Sequence, residues 1–275
     1  MTGRYQLISF FGLGTLLMSG CSGPDHPPPP LLREAARENR VGDDAYLRGD
    51  SARAIPALVE SARLHLAAGD LPGTLTALLN LALARRAAGD LVAARATSAR
   101  MGDLLAPARQ QAATELARND LTAQTGWVEG LIALDAGDPK AAQAATDRVP
   151  LAGRGLSARW EARVESLRGE VALRQERPAE ALTHAKNALS ASARALDRAE
   201  EAHARRLSAA ARMAQSQWTD ARTDLLASIA LEEQLGAGTR MAGDLESLAV
   251  VTDKLGDREN AELYRARAQA IKSVR

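Results

Sequence analysis

Few side chains in this chain suit chemistry, and their spacing withholds most reactions from them. Cys21 is the single cysteine, so no internal disulfide and no cysteine-based metal site can form. The four histidines are His26, His65, His184 and His203. No two of them stand at i and i+4, and none sits in the HExxH arrangement of a metal hydrolase. No Gly-x-Ser-x-Gly, phosphate loop or dinucleotide glycine pattern occurs. Gly153-Arg154-Gly155 is a loop without a preceding strand, which argues against a phosphate role. Carboxylates are plentiful, but their spacing pairs no two across a cleft. No catalytic residue, metal ligand or cofactor is assigned, and an enzyme is not expected. Arg205 and Arg206 form a small basic pair that could grip a carboxylate bidentately. A solvated helix face is the plainer account of them.

What must position these residues is a helical chain. Of 275 residues, 46% are hydrophobic but only 3% aromatic. Alanine and leucine are strong helix formers, and β-branched residues are scarce. The 35 basic and 34 acidic residues nearly cancel, so net charge gives no case for a nucleic-acid partner.

The N-terminus has a different character. Arg4 is followed by an apolar run over residues 7–18. The run is too short to span ~30 Å of hydrocarbon as a helix but suits the core of a secretory signal. Leu17-Met18-Ser19-Gly20-Cys21 comes next, with small residues before the cysteine. This stretch resembles the lipobox of bacterial lipoproteins. The resemblance implies cleavage after residue 20 and diacylglyceryl transfer to the Cys21 thiol. Met18 departs from the usual Leu or Val of that motif. With Ser22 rather than Asp after the cysteine, the resemblance implies outer-membrane anchoring with the body in the periplasm. Residues 22–30 include four consecutive prolines, a stiff polyproline II spacer. The expected division is a signal peptide at 1–20, the lipidated cysteine and spacer at 21–30, and a folded body at 31–275.

Within the body, two small positions recur. The first precedes a turn by about seven residues: Gly42, Ala82, Gly130, Gly169, Ala209 and Ala249. The second follows the turn by about five: Ala54, Ala94, Ala142, Ala181, Ala221 and Ala261. Subtracting neighbours in the second series gives 40, 48, 39, 40 and 40. The intervening turns carry Gly49-Asp50, Gly89-Asp90, Gly137-Asp138-Pro139, Arg177-Pro178, Trp218-Thr219-Asp220 and Gly256-Asp257. Glycine can end the leading helix in a left-handed cap, and Asp or Thr can cap the trailing one. Small residues let two antiparallel helices approach closely.

Leu167 to Ala188 shows the pattern best, with Gly169 before the turn and Ala-Glu-Ala-Leu and Lys-Asn-Ala-Leu after Pro178. It resembles the tetratricopeptide repeat, TPR. The resemblance implies an all-α helix-turn-helix solenoid of about six repeats. Their ~40-residue period exceeds the usual 34, so each helix runs about a turn longer.

In chain order, the expected elements are a leading helix at 31–49, broken near Val41-Gly42, and a partner at 50–68 that Pro56 kinks. Helices at 71–88 and 91–105 follow. The longer third repeat holds an extra short helix within 107–119, then helices at 123–136 and 140–149. Residues 150–155 form a hinge-like loop, three further hairpins run from 156 to 270, and the polar final helix at 258–274 suits a cap.

In tetratricopeptide proteins the leading helices line a groove for a peptide or protein segment. Carried onto this chain, the groove positions are Leu83 and Arg86, Leu134 and Asp135, Glu170 and Arg174, Ala210 and Met213, Val250 and Lys254, with Arg206 beside them. Their charges are mixed. The resemblance as a whole implies a protein-binding scaffold of the cell envelope, held to the membrane through Cys21, and serving first pilus or secretion-system assembly. An adaptor for peptidoglycan synthases or hydrolases, an unrecognised envelope enzyme and a structural spacer are the alternatives.

Overall fold

Asp50, Asp70, Asp90 and Asp138 each mark the first residue before a helix. Each carboxylate accepts a hydrogen bond from a backbone N–H three residues on, at 2.9–3.1 Å. These caps satisfy donors that the first turn of a helix leaves unpaired. Thr114 does the same for its helix, accepting from the Ala117 N–H. The computed structural model describes residues 28–150 and 155–273. The signal peptide, Cys21, His26, most of the spacer, and residues 151–154 of the expected hinge lie outside these residues.

The described residues divide into two compact units, the first ending at Val149 and the second beginning at Pro150. In the first, the helices are α1 (Pro30–Leu47), α2 (Ser51–Ala67), α3 (Leu71–Ala87), α4 (Leu91–Gln111), α5 (Glu115–Asp135) and α6 (Pro139–Asp147). In the second they are α7 (Ala158–Arg174), α8 (Pro178–Ala195), α9 (Arg198–Ala214), α10 (Trp218–Gln234), α11 (Gly238–Lys254) and α12 (Arg258–Ser273). Within each unit every helix packs on the next, and leading helices also touch: α1 on α3, α3 on α5, and α7 on α9. Each unit is thus a row of antiparallel helical hairpins, with no strand among the described residues.

The turns share one geometry. Gly49, Gly89, Gly137 and Gly256 hold φ between 74° and 87° after α1, α3, α5 and α11, the left-handed region that glycine enters without steric cost. After α7 and α9 the same place is held by Glu176 (φ 58°) and Ser216 (φ 57°). Arg177 and Gln217 then precede α8 and α10 without a side-chain cap.

Several expectations change. α1 runs unbroken through Gly42. Trp218, Thr219 and Asp220 are not the turn. They open α10, and residues 215–217 turn instead. The eight extra residues of the third repeat form no separate helix. They lengthen α4 and α5 to 21 residues each. α4 runs past Pro107, where proline forfeits one ladder bond. It reaches Gln111, whose side chain accepts from the Leu71 N–H (3.1 Å) and donates to the Gly69 carbonyl (3.2 Å). That clasp onto the α2–α3 turn holds the extension.

Candidate functional site

The leading helices are set by their small residues. Gly42, Gly130 and Gly169 are buried, and Ala54, Ala82, Ala94, Ala142, Ala181, Ala209, Ala221, Ala249 and Ala261 are wholly so. A Cβ at Gly42 would stand 2.5 Å from Leu58 Cγ and 3.3 Å from the Ala54 carbonyl oxygen. A Cβ at Gly169 would stand 2.5 Å from Leu207 Cδ2 and 3.3 Å from the Ala181 carbonyl oxygen. In both hairpins the glycine on one helix meets the backbone of the small residue on the other. Gly126, which the repeat alignment passes over, is tighter still. Its Cβ would lie 2.8 Å from the Ala145 carbonyl oxygen and 2.7 Å from Val149 Cγ2.

Close approach brings polar side chains together across the hairpins. In unit 1, Asn80 on α3 donates to Asp43 Oδ1 on α1 at 3.0 Å, and Asn39 donates to Asp43 Oδ2 at 3.0 Å. Burial, with Asp44 next door, pushes the Asp43 carboxyl up to about 7, against the Asn80 hydrogen bond. Arg86 on α3 grips Asp135 on α5 with both ends of its guanidinium, at 2.5 and 3.0 Å. Two groove candidates are therefore joined to each other, and the Arg86 side chain is only 8% exposed. Leu83 and Leu134, expected on the groove, are core residues at 4% exposure each. They lie one and four residues after the small position, where the helix has turned toward its partner.

In unit 2 the pairings are denser. Glu170 on α7 meets His203 on α9 at 3.0 Å. Burial opposes the imidazolium, but the carboxylates of Glu170 and Glu200 outweigh it and hold His203 above the usual histidine range. One turn away, Ser166 donates to Glu200 at 2.5 Å. Arg206 on α9 bonds Glu232 on α10 and Asp244 on α11, each at 2.7 Å. The Ser228 hydroxyl shares its one proton between two acceptors, Asp244 Oδ2 (2.6 Å) and the Ala202 carbonyl (2.9 Å). Glu232 is fully buried. Its desolvation pushes its carboxyl up to about 7, while Arg206 and Arg240 pull the other way and Asp244 reinforces the rise. Arg205 faces Glu201 and Asp224. The Arg205–Arg206 pair is thus occupied by acids of its own unit.

His184 and Asn187 on α8 bond the buried Glu165, which Arg168 also holds. Three donors keep Glu165 below the ordinary carboxylate range despite its burial. His65 pairs with the capping Asp70 at 2.8 Å. Of the remaining candidates, Ala210 and Met213 are half-buried, while Arg174, Val250 and Lys254 are exposed. The Lys254 ammonium stands 6.0 Å from the Trp218 ring centroid, at the outer reach of a cation–π contact. Among the described residues no three His, Cys, Asp or Glu side chains are grouped to hold a metal ion, and no helix is long and apolar enough to cross a membrane.

The buried acids Asp43, Glu165, Glu232 and Asp244 were not singled out from sequence. A buried acid and a solvated one read alike in a chain that is 25% charged. Ser61 and Ser228 left a fainter signal. Each stands seven residues after a trailing alanine, and each donates to a leading-helix carbonyl 26 residues back.

No family model matches the chain, and no curated protein matches it in sequence. Among solved structures, BtubC (BKLC) from P. vanneervenii is similar over 90% of this chain and 92% of its own, at 15% identity and a TM-score of 0.60. A putative kinesin light chain of Podosopora anserina with nearly identical TPR-like repeats aligns over 88% of this chain and 96% of its own, at 14% identity and a TM-score of 0.38. The TPR2AB domain of yeast Sti1, in its pHSP90 complex, aligns over 86% and 98%, at 16% identity and a TM-score of 0.31. The likeness to BtubC is one of fold: the chain is an all-α protein built from repeated helical hairpins.

Proposed function

We propose that this chain is a scaffold for protein–protein contacts, anchored by lipid at Cys21 to the outer membrane and facing the periplasm. Its client is a pilus or secretion apparatus under assembly. The scaffold reading is carried by the side chains that successive leading helices leave exposed at one repeat position: Arg174, Ala214 and Lys254. Repeated hairpins that expose equivalent positions offer a partner an extended surface. The address is supported by the apolar run at 7–18 and the lone cysteine after it. Residues 21–30 act as the spacer that holds the body at 31–275 away from the bilayer.

The test is a crosslinked pull-down from cell envelopes with the wild-type chain and with Cys21→Ala. Recovery of one assembly machine by the wild type supports the proposal. The same partners with Cys21→Ala would assign recognition to the body and leave the lipid a localising role. Recovery of peptidoglycan synthases or hydrolases would move the chain to that machinery. An empty pull-down would end the scaffold reading.

A further inference from the structure

α1 makes two contacts of different chemistry within unit 1. Against α2 it closes on Gly42, which meets Leu58 and the Ala54 carbonyl, and on Ser61, whose hydroxyl donates to the Ala35 carbonyl at 3.0 Å. None of these groups titrates. Against α3 it closes on polar side chains. Asn80 is wholly buried, and Asp43 is 8% exposed. The Asn80 amide donates to Asp43 Oδ1 at 3.0 Å and to Asn39 Oδ1 at 3.4 Å, and the Asn39 amide donates to Asp43 Oδ2 at 3.0 Å. One buried atom is left over: Asn80 Oδ1 has no donor among the described residues. A buried acceptor without a donor is costly. A carboxyl group in its acid form carries an O–H as well as acceptor sites, so a proton on Asp43 supplies the missing donor. Acid and amide then pair reciprocally, N–H to carboxyl oxygen and O–H to amide oxygen.

The surroundings favour that proton. Burial and the neighbouring Asp44 raise the Asp43 carboxyl to about 7, with the Asn80 hydrogen bond pulling the other way. Elsewhere on α1, Arg40 and Asp44 are exposed. On α2, Glu60 and Arg63 hold each other, His65 holds Asp70, and Arg53 is exposed. On α3, Arg85 is bonded to Thr97 and Arg86 to Asp135. We propose that Asn39, Asp43 and Asn80 form a proton-gated latch between α1 and α3, closed while Asp43 carries its proton and released when that proton passes to water. Because the contact of α1 with α2 carries no titrating group, release frees the α1–α3 edge and leaves the first hairpin whole. The latch goes beyond the scaffold reading and stands without it.

The test is hydrogen exchange of the detergent-solubilised full chain at pH 6 and pH 8, with α5 as the reference within the same unit. Amides of residues 39–46 and 77–84 should lose about tenfold in protection relative to α5 as pH rises. Asp43→Asn keeps a neutral side chain that pairs with the Asn80 amide, and should hold both segments protected at both pH values. Asp44→Ala removes an exposed like charge and should move the midpoint of the loss to lower pH. A purely structural role for Asp43 would leave that midpoint where it is. The Asp43 carboxyl, followed by carbon NMR, should titrate together with the loss of protection. If Asp43→Asn melts below the wild type, the Asp44→Ala midpoint and the carboxyl titration decide. A carboxyl already ionised at pH 6, protection that falls equally in α5, or a midpoint that Asp44→Ala does not move would overturn the proposal.

Discussion

The hairpins of unit 1 close on aliphatic side chains: Leu58, Leu64, Leu75, Leu79, Met101, Leu131 and Ile132 are essentially inaccessible. Those of unit 2 bury aliphatic side chains too, Leu167, Leu225, Leu245 and Leu248 among them, but set carboxylates beside them, with Glu165, Asp224, Glu232 and Asp244 all at 5% exposure or less. The backbone frame is the same, so the difference isolates what fills it. Aliphatic packing is non-directional and tolerates exchange among side chains of similar volume. Buried ion pairs have a large desolvation cost and little net gain, but each depends on the partner being present. Unit 2 should therefore be the less forgiving of single polar changes, and unit 1 of lost volume.

A large effect should come from Asp244→Ala. It leaves the half-buried Arg206 with Glu232 alone and the buried Ser228 with the Ala202 carbonyl alone, and should cost ~1–3 kcal/mol, read as a lowered urea midpoint. Leu79→Ala in unit 1 should cost ~2–5 kcal/mol through the cavity it leaves. Replacing Arg206, Glu232, Arg240 and Asp244 together by Met or Leu should be close to neutral by the same measurement. A collapse of that quadruple variant would mean the network stabilises unit 2 outright, and the contrast between the units would fail.

Next in size is Gly169→Leu, which must displace Leu207 and should cost ~1–3 kcal/mol by overpacking. Its counterpart in unit 1, Gly42→Leu, presses on Leu58 and should cost a similar amount, since here both units rely on the same approach of backbones. Thermal melting followed by circular dichroism checks both.

A smaller effect is shared by the two units for different reasons. Asp43 and Glu232 each have a folded-state pKa of about 7, above ordinary values of 3.8 and 4.5. Between the ordinary and raised values the folded chain holds protons that the unfolded chain releases. Stability should therefore be greatest in mild acid, fall as pH rises through about 7, and then level off. Melting temperatures at pH 5 and pH 8 test this. Asp43→Asn and Glu232→Gln should each flatten the profile, and an unchanged slope in either variant would show that its carboxyl is ionised throughout.

The smallest effect concerns Leu196, which ends α8 at φ 53° and is 88% exposed. The equivalent turn in the next hairpin uses Gly236. Leu196→Gly should relieve the left-handed strain and gain up to about 1 kcal/mol, seen as a small rise in melting temperature.

The period of the hairpins was legible because small residues at a helix crossing leave a regular mark in sequence. Glycine turns and aspartate caps were legible because local backbone geometry demands those side chains. The turn at 215–217 was not, since Ser216 enters the left-handed region without the glycine that signals it. Nor was the length of α4, because its Pro107 reads as a stop until Gln111 is seen clasping a turn 40 residues away. The groove candidates show the deeper limit. Position in the repeat is periodic, but whether Arg86 or Arg206 is free for a ligand depends on Asp135 or Asp244, acids on other helices that periodicity does not pair.

Glu176 and Ser216 hold nearly the same left-handed angle, and the residues after them open α8 and α10 in the same uncapped way. Residues 178–217 are therefore bounded by interchangeable ends, exactly one rung apart. A tandem duplication of that stretch would meet the same backbone geometry at its new junction as at the old ones. Unequal crossing-over at the gene level could thus lengthen this protein by whole rungs without inventing a new turn, and the reach of its binding surface could be inherited as a copy number.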